Sequence, residues 1–467
     1  MDSVAALLLA SGLASGDRVG LLARNSPQYV AAFYGVLAAG GVAVPLNAHE
    51  RAVVLARQLA HSGSRFLLVD PSHPEWLAIK DAVTQLGIRV FELPADQSEM
   101  AAEAFLSLVQ APAAKRSEEC PVPGELAAII YTSGTTGRPK GVMLSHSNLM
   151  ANASSIVSYL ELRPTDRGLC VLPFHFSYGN SVLQSHLLAG AYLAIEDNLA
   201  YPHNTLKRVQ DEKITGFPGV PSTFGLLLGR CRFEDYDLSA LRYVTQAGGA
   251  MPRSQIEKLR LAVPGARIFV MYGQTEATAR LTYLSPEMID SKLGSVGRPL
   301  DGIEIEIRDA SGVSLPAGEV GEIHARGPNV MLGYWRDPEL SGQVLRKGWL
   351  STGDLGHLDA DGYLYIDGRA TEMIKVGAFR VSPQEVEEVL ATYPGVEEVA
   401  VTGVPDEILG QAIKAVLVLA DGYKADALGV KAHCRQSLAA YKVPKTVEFV
   451  ASLPRTSSGK VQRYKLV

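Results

Sequence analysis

The chain lacks the cysteine pattern of a zinc site or a disulfide framework. Its four cysteines, Cys120, Cys170, Cys231 and Cys434, are far apart and show no C-x-x-C spacing. That usage fits a reducing cytoplasm. No apolar run reaches the length of a membrane span. Val4–Ala10 could pass for a signal-peptide core, but Asp2 stands where a positive n-region belongs, and Gly16-Asp17-Arg18 reads as a turn between a helix and a strand. Excess charge is missing too: 44 Lys and Arg against 49 Asp and Glu leave a net charge of −5, which gives no general attraction to nucleic acid or anionic membrane. Internal repeats and low-complexity stretches are absent. These absences predict a soluble, cytoplasmic protein with no nucleic-acid partner and no stable membrane insertion; a monomer or homodimer is expected.

What is present is an ordinary globular composition, 47% hydrophobic and 20% charged, in a chain of 467 residues that is too long for one core. Apolar runs at Val19–Ala23, Gly41–Pro45 and Phe66–Asp70 alternate with helically spaced segments at Pro27–Ala39 and Glu50–Ser62, which predicts parallel βαβ units. The texture returns from Ala189 to Val270, where Gly216–Pro221 and Gln246–Ala250 read as glycine-rich loops after strands. Val296–Ile366 reads as a β-rich subdomain. Within it, Asp359-Ala360-Asp361-Gly362 is a plain turn rather than a calcium loop, because Ala370 holds the twelfth position. Beyond Arg369 a small α+β unit is expected. Ser382-Pro383-Gln384-Glu385 opens a helix with a capping box, strands follow at Val399–Val404 and Ala412–Leu419, and a helix at Ala425–Ala440. The tail from Tyr441 is basic, a composition usual for a solvated face.

Residues Tyr131–Met143 carry the strongest functional signal. A buried strand at Leu126–Ile130 runs into Thr132-Ser133-Gly134-Thr135-Thr136-Gly137 and then Lys140. Glycines let backbone N–H groups turn inward and hydroxyls add donors, so such a loop can wrap a polyphosphate. It is not a Walker A loop, since Pro139 stands five residues after Gly134.

This segment resembles the phosphate loop of the adenylate-forming (ANL) superfamily, and five further segments match in order: Tyr272–Glu276, Ser351–Asp354, Gly368-Arg369, Lys375–Gly377 and Pro454–Lys460. The chain is accordingly identified as a member of acyl-CoA synthetase type. The resemblance covers essentially the whole length and implies an α/β fold: a large N-terminal AMP-binding domain, 1–368, of doubly wound βαβ subdomains plus a β-rich subdomain. A hinge at 369–371 and a small mobile α+β C-terminal domain, 372–467, would follow. The family carries several dozen residues before the segment like Asp17–Pro27, where this chain has sixteen; that part is peripheral in the family, so activity is expected to survive.

The resemblance also implies roles. Thr132, Ser133, Gly134, Thr135, Thr136, Gly137 and Lys140 would hold the β- and γ-phosphates, and Glu276 would bind Mg²⁺, with Thr136, Lys140 and Glu276 counted as catalytic. Tyr272, Gly273, Gln274 and Thr275 would surround the adenine and α-phosphate, with Gly248, Gly249 and Ala250 as the adenine wall. Asp354 is acceptor-only when ionised and suits two ribose hydroxyls, and Arg369 would reach the ribose as well. Lys460 would bridge the carboxylate and α-phosphate. Thr371 stands where the family hinge has Asp or Lys, and Lys375, Val376 and Gly377 would line a thiol tunnel.

The implied reaction activates a carboxylic acid to acyl-AMP with release of pyrophosphate, then passes the acyl group to a pantetheine thiol. His175, Phe176, Ser177, Tyr178 and Gly179, with Gly248, match the acyl-pocket segment. Amino-acid-activating relatives place an aspartate near Ser177; serine cannot pair with an α-ammonium, so an α-amino acid is disfavoured and fatty, branched or aromatic acids remain open. No Asp-Ser-Leu-like carrier site and no H-H-x-x-x-D-G segment is present. CoA is therefore the leading acceptor, with a free-standing carrier protein second. A non-catalytic nucleotide-binding relative is the reading from a different class.

Overall fold

The computed structural model describes residues 1–93, 124–132, 140–196, 199–369, 372–376, 379–406, 408–455 and 460–467. They form two compact units. The first comprises Met1–Asn198, Gln274–Arg280 and Gly327–Gly348, and the second Leu199–Gly273, Leu281–Arg326 and Trp349–Val467.

In the first unit, the helix Asp2–Ala10 leads to the strand Arg18–Leu22, so the apolar start of the chain is a packed helix. It lies so close to the next helix, Pro27–Ala38, that a Cβ on Gly35 would stand 2.5 Å from Val4 Cβ. Ser26 caps that second helix by accepting from Tyr29 N, and Pro27 fills its first position. Strands run in the order Gly333–Tyr334, Lys140–Ser145, Leu126–Thr132, Val42–Pro45, Arg18–Leu22, Phe66–Val69, Arg89–Glu92. From Leu126–Thr132 onward the pairs are parallel. The first two strands join antiparallel. Buried apolar runs on the parallel strands fit a sheet covered on both faces.

The second unit begins with the strands Gly216–Gly219, Tyr243–Gln246 and Arg267–Tyr272, paired in parallel. The short strands Thr282–Leu284 and Arg298–Pro299 extend them antiparallel. Here the expected loop at Gly216–Pro221 is corrected: Gly216–Gly219 is itself a buried strand. Glycine stands there for space, since a Cβ on Gly216 would lie 2.1 Å from the Tyr243 ring. The β-rich part is as expected, an antiparallel sheet of Glu304–Arg308, Gly321–Arg326, Trp349–Leu358 and Leu364–Arg369. The turn at Asp359–Gly362 is held by Lys292, whose ammonium pairs with Asp359 and Asp361.

After Arg369 the same unit continues with Ile374–Val376, Phe379–Val381, the long hairpin Val396–Asp406/Gly410–Leu419, and Thr446–Phe449 parallel to Gly410–Leu419. Helices Pro383–Leu390 and Ala427–Ser437 pack with Val376, Val401, Ile413 and Leu417 into one apolar core. Two expectations are corrected here. Pro383 does open its helix, but Ser382 makes no cap; its buried hydroxyl has no partner among the described residues and faces Gly368, 3.2 Å from where a Cβ would stand. The basic tail is not simply solvated either, because Lys442 pairs with Glu385, Lys445 with Asp406, Arg455 with Glu398, and Arg463 with both Glu372 and Glu387.

A side chain at position 216 has nowhere to go. Gly216→Ala is expected to lower stability by about 1–3 kcal/mol, the usual range for overpacking, read as a lower midpoint in thermal unfolding; an unchanged midpoint would contradict the packing described.

Candidate active site

In the first unit, the hairpin register sets Thr132 opposite Lys140, so these two residues close the loop whose remaining members, Ser133 to Pro139, lie outside the described residues. Both closing residues are half-buried. Lys140 Nζ stands 5.8 Å from the centroid of the Tyr334 ring. The Tyr334 hydroxyl donates to Glu276 Oε1 at 2.9 Å. One tyrosine, placed by the two-residue strand Gly333–Tyr334, thus joins the lysine of the loop to the carboxylate expected to hold metal. Nothing in the local sequence pattern singles out Tyr334; only the pairing of its strand with Lys140–Ser145 reveals it.

Glu276 lies on a single 3₁₀ turn, Thr275–Ala277, and the two residues after it are strained. Thr278 has φ 58° and Ala279 φ 139°, conformations that L-residues adopt at a cost of about 1–3 kcal/mol each. Asn329 holds them there. Its amide donates to the carbonyls of Ala277 and Arg280, and its backbone carbonyl accepts from Thr278 Oγ1 at 2.6 Å. Met331 N donates to the Glu276 carbonyl at 2.9 Å. Asn148, the N3 member of the capping box on the helix His146–Leu160, fixes Pro328 and Val330 on either side of Asn329.

The expected acyl-pocket segment lies in the same unit. Ser177 opens the helix Ser177–Leu188, and its hydroxyl is 3.2 Å from Thr275 Oγ1. His175 is buried against Phe176, with ring centroids 4.2 Å apart. Burial pushes its imidazole down to about 3, so it is neutral at working pH. Gly179 answers to packing: a Cβ there would fall 2.2 Å from the Pro173 carbonyl oxygen.

The second unit assembles another part of the expected site. Antiparallel register places Asp354 beside Arg369, and Arg369 Nε meets Asp354 Oδ1 at 2.9 Å. Tyr272, at the end of its strand, donates its hydroxyl to Asp354 Oδ2 at 2.7 Å. Burial, and then the Asp354 charge, hold the Tyr272 phenol well above its ordinary range, so it remains a donor. Thr352 Oγ1 accepts from Asp354 N at 3.1 Å. Gly248, Gly249 and Ala250 form an exposed ledge after the strand Tyr243–Gln246, braced by Gln246 Nε2 donating to the Gly249 carbonyl at 2.7 Å. Gly273 ends this unit's share of the segment; Gln274 begins the other's.

Of the residues expected to serve the thiol step, Lys375 is exposed, whereas the Val376 side chain is buried in the C-terminal core. Lys460 is exposed, and the Arg463 ion pairs anchor the tail that carries it to Glu372, just beyond the expected hinge. Thr371, Gly377 and Thr456–Gly459 lie outside the described residues. No helix among the described residues is long and apolar enough to cross a membrane.

Comparison with known proteins identifies the family. Residues 1–335 match the AMP-binding enzyme family and 385–460 its C-terminal domain. A feruloyl-CoA synthase of Amycolatopsis is 37% identical over 97% of this chain and 89% of its own length. A long-chain-fatty-acid–CoA ligase of Bacillus subtilis is 33% identical over 99% of this chain and 87% of its own. Among solved structures, ATP-bound MatB from Rhodopseudomonas palustris superposes with a TM-score of 0.91 at 32% identity, covering 100% of this chain and 91% of that one. With its whole length matched, this chain belongs to the AMP-binding enzymes of the adenylate-forming superfamily, acyl-CoA synthetase type.

Proposed function

We propose that the residues described above divide the acyl-CoA ligase reaction between them as follows. An acid's carboxylate oxygen attacks the α-phosphorus of ATP, pyrophosphate leaves, and acyl-AMP forms. The CoA sulfur then attacks the acyl carbon, AMP leaves with the C–O bonding pair, and the thiol proton passes to solvent. Lys140, with the loop it closes, holds the leaving phosphates, and Asp354 and Arg369 hold the ribose. The Tyr272 hydroxyl and Arg369 orient the Asp354 carboxylate as an acceptor. The single observation that carries this reading is Tyr334, which fixes Glu276 by a hydrogen bond while its ring lies against Lys140.

Glu276 is a fitting Mg²⁺ ligand. Tyr334 engages one of its carboxylate oxygens, no cluster of three or more His, Cys, Asp or Glu competes among the described residues, and Mg²⁺ prefers few protein oxygens plus phosphate and water. When bound, the ion would neutralise charge on the transferring and leaving phosphates. The hinge is taken as 369–371, the thiol tunnel as Lys375, Val376 and Gly377, and Lys460 as the group that spans carboxylate and α-phosphate, a task suited to a point charge on a long stem.

The acid has no α-ammonium, because Ser177 meets Thr275 and offers no negative charge. Relatives named for feruloyl and long-chain fatty acyl groups differ too much in their acids to narrow the choice further. Free α-amino acids should therefore give no exchange of pyrophosphate into ATP.

Two variants test the division of roles. Glu276→Gln should cut pyrophosphate release by orders of magnitude, and Tyr334→Phe by about tenfold, the worth of one hydrogen bond to a charged group; wild-type rates in both would remove the metal assignment. Lys460→Ala should abolish acyl-AMP formation yet convert chemically supplied acyl-AMP and CoA to acyl-CoA at near the wild-type rate. Equal loss of both steps would show that Lys460 serves neither specifically.

A further inference from the structure

The helix Ser177–Leu188 is buried from Tyr178 to His186, and much of that stretch is polar. Asn180, Ser181, Gln184, Ser185 and His186 are all buried. Most of this polarity is satisfied within the helix. Ser181 and Ser185 donate to the carbonyls of Tyr178 and Val182, His186 Nδ1 bonds to the Val182 carbonyl, and Gln184 donates to Asn180 Oδ1. What remains over on residues 174–180 and on the loop Gln274–Arg280 is nitrogen: His175 Nε2, Asn180 Nδ2, Gln274 Nε2 and Arg280 Nε are buried with no hydrogen-bond partner among the described residues.

Arg280 stands out in this set. It is 2% exposed, always charged, and paired with no carboxylate among the described residues. Its guanidinium carbon lies 4.2 Å from the centroid of the Tyr178 ring, and its bond to its neighbour's carbonyl, Ala279 O, is long at 3.3 Å. A buried cation without an anion is one of the most destabilising arrangements a fold can keep. The strained turn at Thr278 and Ala279 separates two ends of one loop. Glu276 is at the first with Tyr334, and Arg280 is at the second on Tyr178.

We propose that Arg280 determines acid specificity by pairing with a second anionic group of the substrate, a carboxylate or sulfonate remote from the carboxylate that is activated. The acid is thus a dicarboxylic or sulfocarboxylic acid, with the Asn180 amide as a further donor to the same group. This rests on the reading of residues 174–179 as the acyl-pocket wall.

Pyrophosphate exchange into ATP by the full-length enzyme, with matched pairs of acids, tests it: glutarate against pentanoate, adipate against hexanoate, phthalate against benzoate, 3-sulfopropionate against butyrate. The wild type should favour the anionic member of at least one pair by about thirtyfold or more in kcat/KM, the usual penalty for leaving one partner of a buried charge pair unmatched. Arg280→Leu should erase that preference, mostly through KM for the acid, with KM for ATP unchanged, and Arg280→Lys should restore part of it. Preference for the uncharged member in every pair would overturn the proposal, as would equal loss for both members in Arg280→Leu, or an anionic preference that survives that change. Should Arg280→Leu fail to fold, the wild-type preference and its reduction in Arg280→Lys decide. Ser177→Trp separates the underlying reading: loss of all acids keeps the pocket wall where it is proposed, while an unchanged acid KM removes that wall and the Arg280 proposal with it.

Discussion

The grip of Asn329 on the loop Gln274–Arg280 is the constraint on which the first unit's site depends. Two consecutive non-glycine residues with positive φ would relax if left alone. One side-chain amide reaches two carbonyls of that loop and one backbone carbonyl receives the Thr278 hydroxyl, so the strained turn is over-determined. Its consequence is directional. The turn lets Glu276 meet Tyr334 while Arg280, four residues on, lies against Tyr178. A regular helix would place residues i and i+4 on one face. Here the same interval serves two separate tasks.

The fold was largely readable because its strands are apolar runs separated by helically spaced segments. Arg18–Leu22, Val42–Pro45, Phe66–Val69 and Leu126–Thr132 all lie where the sequence pattern places them. Misreadings have physical reasons. Gly216-Phe217-Pro218-Gly219 has the composition of a loop but is a strand, because a tyrosine ring on the neighbouring strand takes the room that side chains would need. Ser382 has the spacing of a capping box, yet spacing cannot say that its hydroxyl turns to Gly368. The basic tail finds acids 39 to 91 residues away, pairings that no local pattern contains. Of the proposed site, ordered motifs carry Asp354, Arg369 and Tyr272, which lie in mutual contact, and Glu276, which meets Tyr334. Tyr334 and Asn329 were invisible, since each acts through register or a backbone contact rather than through a signature of its own.

The groups proposed to serve the nucleotide and those proposed to serve the acid also differ in how their polar atoms are satisfied. Glu276 already has Tyr334, and Asp354 already has Tyr272, Arg369 and the backbone bond to Thr352. These contacts fix the carboxylates before a ligand arrives, so little reorganisation is left for the moment of reaction, which is how preorganised electrostatics favour a transition state. Along 174–180 and at Arg280, by contrast, buried nitrogens are left without partners among the described residues. A group satisfied by its own protein binds every nucleotide alike, whereas an unsatisfied buried donor penalises any ligand that lacks the matching acceptor. Chemistry common to a whole family suits the first arrangement and choice among acids suits the second, so the part of this chain that distinguishes it from its relatives should be sought among its unpaired nitrogens.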